Sequence, residues 1–128
     1  MNTLNFQDKV VLITGGAKGV GHGISECYLA QGATVVVCGR SAPENEAELP
    51  RSSASGSERV ADFIPCDIRD VAASQALVDA IVAKYGRLDV LVTHDAARVM
   101  GVYLQAPDGS LQAERLFESP YGYFWMRK

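Results

Sequence analysis

Cysteine and histidine are scarce in this 128-residue chain, which holds three of the first and two of the second. Cys27, Cys38 and Cys66 lack CxxC spacing, and an odd number of thiols cannot close into a complete disulfide set. They read as small buried hydrophobes. His22 and His94 are far apart, with no metal-ligand partners at the usual spacing, so no metal is expected. Positive charge is also short: 12 Lys and Arg against 15 Asp and Glu leave a net charge of −3. Nothing there attracts a phosphate backbone or an anionic bilayer, so nucleic acid is not an expected partner. No apolar run approaches the roughly 20 residues of a membrane span. The N-terminal stretch has no basic region leading into an apolar one, so no membrane partner is expected and the expected location is cytoplasmic.

What remains is an ordinary globular composition, 48% hydrophobic and 21% charged, at a length that suits one domain. Short Val- and Ile-rich runs stand at 9–14 (KVVLIT), 33–39 (ATVVVCG), 62–67 (DFIPCD) and 88–93 (LDVLVT). They lack polar alternation, as strands do when helices cover both faces of a parallel sheet. Between them, 23–32 and 71–86 carry apolar residues at three- and four-residue spacing and each stops at a glycine. The order is βαβαβ. The crossover at 41–61 differs, with two prolines, five serines and almost no apolar periodicity. One short helix near 44–49 fits there, and 41–59 is expected to be a mobile loop, above all at 50–57. No internal repeat is visible.

Five glycines crowd residues 15–23, directly after the first strand. A loop between a buried strand and a helix N-terminus presents unpaired N–H groups and the positive end of the helix dipole, which suits a phosphate. The spacing is Thr14-Gly15-x-x-x-Gly19-x-Gly21. A P-loop is excluded because His22 and Gly23, not Lys and Ser or Thr, follow Gly21. A GxGxxG loop begun at Gly19 would need Gly or Ala at 24, where Ile24 stands. The pattern resembles that of the short-chain dehydrogenase/reductase family, whose dinucleotide loop is TGxxxGxG after the first strand. The resemblance implies a Rossmann-like doubly wound α/β parallel sheet, stopping here after about four strands, with 1–128 forming one NAD(P)-binding domain. It also implies that Gly15, Lys18, Gly19, Val20 and Gly21 contact the cofactor. The alternative is that the glycines only make a tight turn. Gly23 costs about 1 kcal/mol of helix propensity relative to alanine, for no purpose visible in the sequence.

Dinucleotide folds that take NAD usually end the second strand with an acidic residue on the ribose hydroxyls, which repels the extra phosphate of NADP. This chain has Arg40 there and Lys18 in the glycine loop, so two cations can flank a 2′-phosphate. The same two positions are basic in NADP-preferring members of the family, so the expected cofactor is NADP rather than NAD. The alternative for Arg40 is a solvated loop cation. CDIRD at 66–70 resembles the family's adenine motif and implies contacts from Asp67 and Ile68. Asp67 could instead cap the next helix, although Asp70 is better placed.

The resemblance also breaks. Where the family carries NNAG, a polar turn lining the cofactor, this chain has Thr93, His94, Asp95 and Ala96. Thr93 can still offer a hydroxyl on the nicotinamide side, whereas Ala96 denies the backbone a positive φ. His94 and Asp95 are neighbours on a strand end and point in opposite directions, which argues against an acid/base pair. Residues 112–128 resemble the start of the family's long central helix, expected here to begin at Ser119 as N-cap with Pro120 in the first turn. The family's Tyr-x-x-x-Lys lies further along than residue 128, and no tyrosine here has a lysine four places later. No catalytic residue is therefore assigned.

The expected function is hydride transfer between NADP(H) and an alcohol or carbonyl substrate of a complete relative, with this chain an inactive truncated or frame-disrupted product. The alternative is a non-catalytic NADP(H)-binding or interaction module. Five of the ten aromatic residues fall in the last twelve positions, beside what is expected to be an uncovered fourth-strand edge, so self-association is expected.

Overall fold

The computed structural model describes residues 6–68, 70–95, 98–105, 111–113, 117–119 and 122–124, with side chains as far as Thr93 except at residue 69. Strand β1 (Val10–Thr14) leads into helix α1 (Gly19–Ala30) and strand β2 (Thr34–Gly39). A 3-10 turn (Glu46–Glu48) and strands β3 (Arg51–Ser52) and β4 (Arg59–Val60) make up the crossover to β5 (Asp62–Pro65). Helix α2 (Val71–Tyr85) and strand β6 (Val90–Asp95) follow. The remainder is extended: β7 (Arg98–Gln105), β8 (Leu111–Ala113), β9 (Phe117–Ser119) and β10 (Gly122–Phe124).

The main sheet runs β5-β2-β1-β6-β7-β8. Its first four strands are parallel, and β7 and β8 join antiparallel. Every residue of β1 is buried, which explains its unbroken apolar run. Successive side chains of a strand face opposite sides. Accordingly Val11, Ile13, Val35 and Val37 pack with Leu29 of α1, and Val10, Leu12, Val36 and Cys38 pack with Leu77 and Ile81 of α2. Two apolar layers on one sheet are the α/β Rossmann-like arrangement that the resemblance implies.

Helix α2 carries both of its signals. Asp70 caps it by accepting from the Ala73 N–H at 3.1 Å, and Gly86 ends it with φ 82° in the left-handed region. The amino ends of the central strands are tied together where the Val10 N–H donates to Asp89 Oδ2 at 2.8 Å, a carboxylate that Arg87 also grips with both Nε and Nη2.

Several expectations need correction. In the crossover the expected short helix appears as the 3-10 turn, and the expected loop also holds an unforeseen hairpin, in which β3 and β4 pair Arg51 with Val60 and Ser52 with Arg59. Pro50 anchors it as a fully buried side chain whose carbonyl accepts from the Ala61 N–H at 2.9 Å. Cys27 is exposed, unlike the buried Cys38 and Cys66, because it lies on the outer face of α1. No helix starts at Ser119. Instead Ser119 pairs with Gly122 and Phe117 with Phe124 in an antiparallel ribbon, the arrangement that aromatic-rich segments favour. The fourth parallel strand has no uncovered edge, since β7 lies along it from Val90 to Asp95. Thr93, His94 and Asp95 belong to β6 rather than to a turn. Ala96, Pro120, Tyr121 and Trp125 lie outside the described residues.

Candidate functional site

Where β1 ends, the chain must turn sharply into α1, and Gly15 and Gly19 do so with φ of 65° and 55°, values that side chains disfavour. The Gly15 N–H donates to the Cys38 carbonyl at 2.8 Å, fastening the loop to the tip of β2. Gly16 is needed for a different reason. A Cβ there would lie 2.5 Å from Val37 Cγ1, 2.9 Å from Ser25 Oγ and 3.0 Å from the Ile13 carbonyl oxygen. Helix α1 buries Gly21, Ser25 and Leu29 at four-residue spacing. The wholly buried Ser25 hydroxyl spans the Gly21 and Gly16 carbonyl oxygens at 2.7 and 3.2 Å, locking loop to helix.

The start of α1 is chemically distinct from that of α2. Its N-cap is Lys18, which makes no side-chain cap, and its first turn holds no acidic residue. The first N–H groups of a helix have no intrahelical partner, and the dipole adds positive potential there. With no carboxylate already in place, that end is open to an anion.

Beside it lies a cleft of about 200 Å³ lined by Gly15, Ala17, Lys18, Cys38, Gly39, Arg40, Ser41 and Phe63. The structure thus brings together Gly15, Lys18 and Arg40, which the sequence singled out from positions 25 residues apart. Neither cation has a carboxylate partner among the described residues. Burial foremost, and then the neighbouring Cys66 thiol, push the Cys38 thiol up to about 11 against the lowering effect of a Gly15 hydrogen bond. Cys38 is therefore a wall of the cleft and not a nucleophile at neutral pH.

The other expected contacts are not among the residues that line this cleft. Gly19, Val20 and Gly21 form the first turn of α1, with Val20 42% exposed. Asp67 and the half-exposed Ile68 follow β5, and Thr93 lies within β6. Sequence reasoning missed Gly16, Ser25, Ser41 and Phe63. The doubled glycine at 15–16 and the four-residue step from Gly21 to Ser25 were legible signals, but Phe63 announces nothing until β5 pairs with β2 and sets Phe63 beside Val37.

The family model described as short chain dehydrogenase matches residues 9–117. A 3beta-hydroxysteroid dehydrogenase of Mediterraneibacter gnavus is 34% identical over 89 residues, covering 70% of this chain and 32% of that enzyme. The chain spans about a third to a half of the length of the curated relatives it matches. Among solved structures, a metagenomic short-chain oxidoreductase in complex with NADP aligns with TM-score 0.58 and 29% identity, covering 67% of this chain and 38% of that one. An NADH-dependent reductase complexed with NAD aligns with TM-score 0.60 and 28% identity, covering 69% and 36%. A family match that spans both helices, all four parallel strands and the glycine loop, on a sheet of the same architecture, means that this chain belongs to the short-chain dehydrogenase family.

Proposed function

We propose that this chain is an NADP(H)-binding domain of a short-chain oxidoreductase, a class that moves hydride between the nicotinamide and an alcohol or carbonyl substrate. The observation that carries the reading is the cleft in which Lys18 and Arg40 face a common space beside Gly15 and the uncapped start of α1. Gly19, Val20 and Gly21 offer N–H groups to the pyrophosphate. Arg40 presents a fork of donors that matches a 2′-phosphate, and Lys18 adds a second charge. Asp67 and Ile68 hold the adenine, and Thr93 faces the nicotinamide side.

The chain by itself is not expected to turn over. In the family's mechanism a tyrosine exchanges the hydroxyl proton while a lysine four residues later lowers its pKa, and no such pair occurs in this sequence. A non-catalytic NADP(H)-binding or interaction module is the second reading, favoured by Thr93, His94 and Asp95 continuing β6 where the family has a polar turn.

Calorimetric titration tests the proposal. NADPH should bind with micromolar affinity and NADH more weakly, and Arg40→Ala should remove the difference between them. Equal affinity for both coenzymes in the unsubstituted chain would refute the role given to Arg40. Measurable turnover of alcohol or ketone panels would refute the expected inactivity.

A further inference from the structure

A doubly wound dinucleotide fold is assembled from two βαβαβ halves, each taking one mononucleotide, with the ligand lying across the carboxyl ends of the parallel strands. One half has its three parallel strands and its first helix here, with a 3-10 turn and a hairpin in place of the second helix. β1, α1, β2, the crossover and β5 supply parallel pairs β1/β2 and β2/β5, and the cleft that holds Lys18 and Arg40 opens at their carboxyl ends. The other side of β1 is different. It begins correctly with β6, parallel to β1 through Val11/Val90, Leu12/Leu91 and Ile13/Val92. From there the chain does not pass into a helix.

Asp95 at the carboxyl end of β6 pairs with Arg98, and β7 runs back antiparallel all the way to Leu104 opposite Val90. A register shift between Thr93 and His94 marks the approach to this reversal. β8 is antiparallel again. The consequence is electrostatic as well as steric. After β1, the backbone turns into a helix whose first N–H groups and dipole face the ligand crevice. After β6, a returning strand takes that place, and a strand spends its N–H groups on its neighbours and carries little net dipole. Among the described residues, the side of the crevice beyond β6 thus presents neither a helix terminus nor a parallel strand end.

We infer that this chain is an adenosine-half site: its ligand class is adenosine 5′-diphosphates carrying a 2′-phosphate, and the nicotinamide riboside portion of NADP(H) adds nothing to its binding. This rests on the cofactor reading proposed above and narrows it to one half of the coenzyme.

The test is calorimetric titration of the full chain with 2′-phospho-ADP-ribose, NADPH and nicotinamide mononucleotide. The expected result is equal affinity for the first two, within about threefold, and no heat from the mononucleotide. Arg40→Ala should weaken 2′-phospho-ADP-ribose and NADPH by the same factor, and circular dichroism of that variant confirms that the fold is retained. NADPH binding about tenfold or more tightly than 2′-phospho-ADP-ribose, or binding of the mononucleotide alone, would overturn the half-site inference while leaving the cofactor reading intact. No binding by either adenosine ligand would overturn both.

Discussion

Gly16→Ala is the substitution on which the construction of the glycine loop can be judged. Its effect is not a matter of backbone strain, since Gly16 is not among the glycines with positive φ. In a site with room to spare, replacing glycine by alanine would stabilise by about 0.4–1 kcal/mol through the unfolded chain. Here the new methyl carbon would stand 2.5 Å from Val37 Cγ1, 2.9 Å from Ser25 Oγ and 3.0 Å from the Ile13 carbonyl oxygen. Val37 is fully buried against the α1 layer, and the Ile13 oxygen belongs to the central strand, so neither neighbour moves at small cost. Overpacking of this kind costs about 1–3 kcal/mol. If Ser25 swings away, a buried hydroxyl and two carbonyls lose their bonds, a further cost of about 1–3 kcal/mol. Gly16→Ala should therefore destabilise by about 1–5 kcal/mol overall, depending on whether Ser25 moves, read from urea or thermal unfolding. A stability within about 0.5 kcal/mol of the unsubstituted chain would refute the close-packing argument.

Gly23 provides the contrast, because a Cβ there meets nothing within 4 Å. Gly23→Ala should stabilise by about 1 kcal/mol in the same unfolding assay. Thiol labelling at pH 8 should modify the exposed Cys27 quickly and leave Cys38 and Cys66 unreacted until unfolding, with peptide mapping to identify the site. Stability should also fall on the acid side. Partial burial raises the Asp62 carboxyl, but hydrogen bonds from Lys84 at 2.7 Å and Tyr85 at 2.8 Å outweigh it and hold the group below its ordinary value of 3.8. A carboxyl lowered in the folded state contributes stability above its unfolded pKa and loses it as pH falls through the folded one. Acid unfolding of Asp62→Asn should accordingly show less pH dependence below pH 3.8 than the unsubstituted chain.

The legible parts of this protein are those in which neighbouring residues decide the outcome. β1 reads as a buried strand because five consecutive residues need cover on both faces. Asp70 and Gly86 mark the ends of α2 because capping is chemistry within one turn of helix. The glycine loop was legible for the same reason, and with it the choice of Lys18 and Arg40. The extended segment beyond β6 was not. Phe117 to Phe124 carries a proline and several aromatics, a composition that a first helical turn and a hairpin can both accept, and the antiparallel ribbon was decided by pairing across chains of residues.

The sequence alone thus determined the α/β order and the glycine-rich turn after β1, and it pointed to the two cations that line one cleft, because each depends on spacing over a few residues. Only the tertiary structure decided that Phe63 and Ser41 wall the same cleft as Lys18, and that Gly16 must lack a side chain. It alone set β7 antiparallel along β6. Those outcomes depend on which strands become neighbours, and strand neighbours are chosen by long-range packing, which no local window of residues contains.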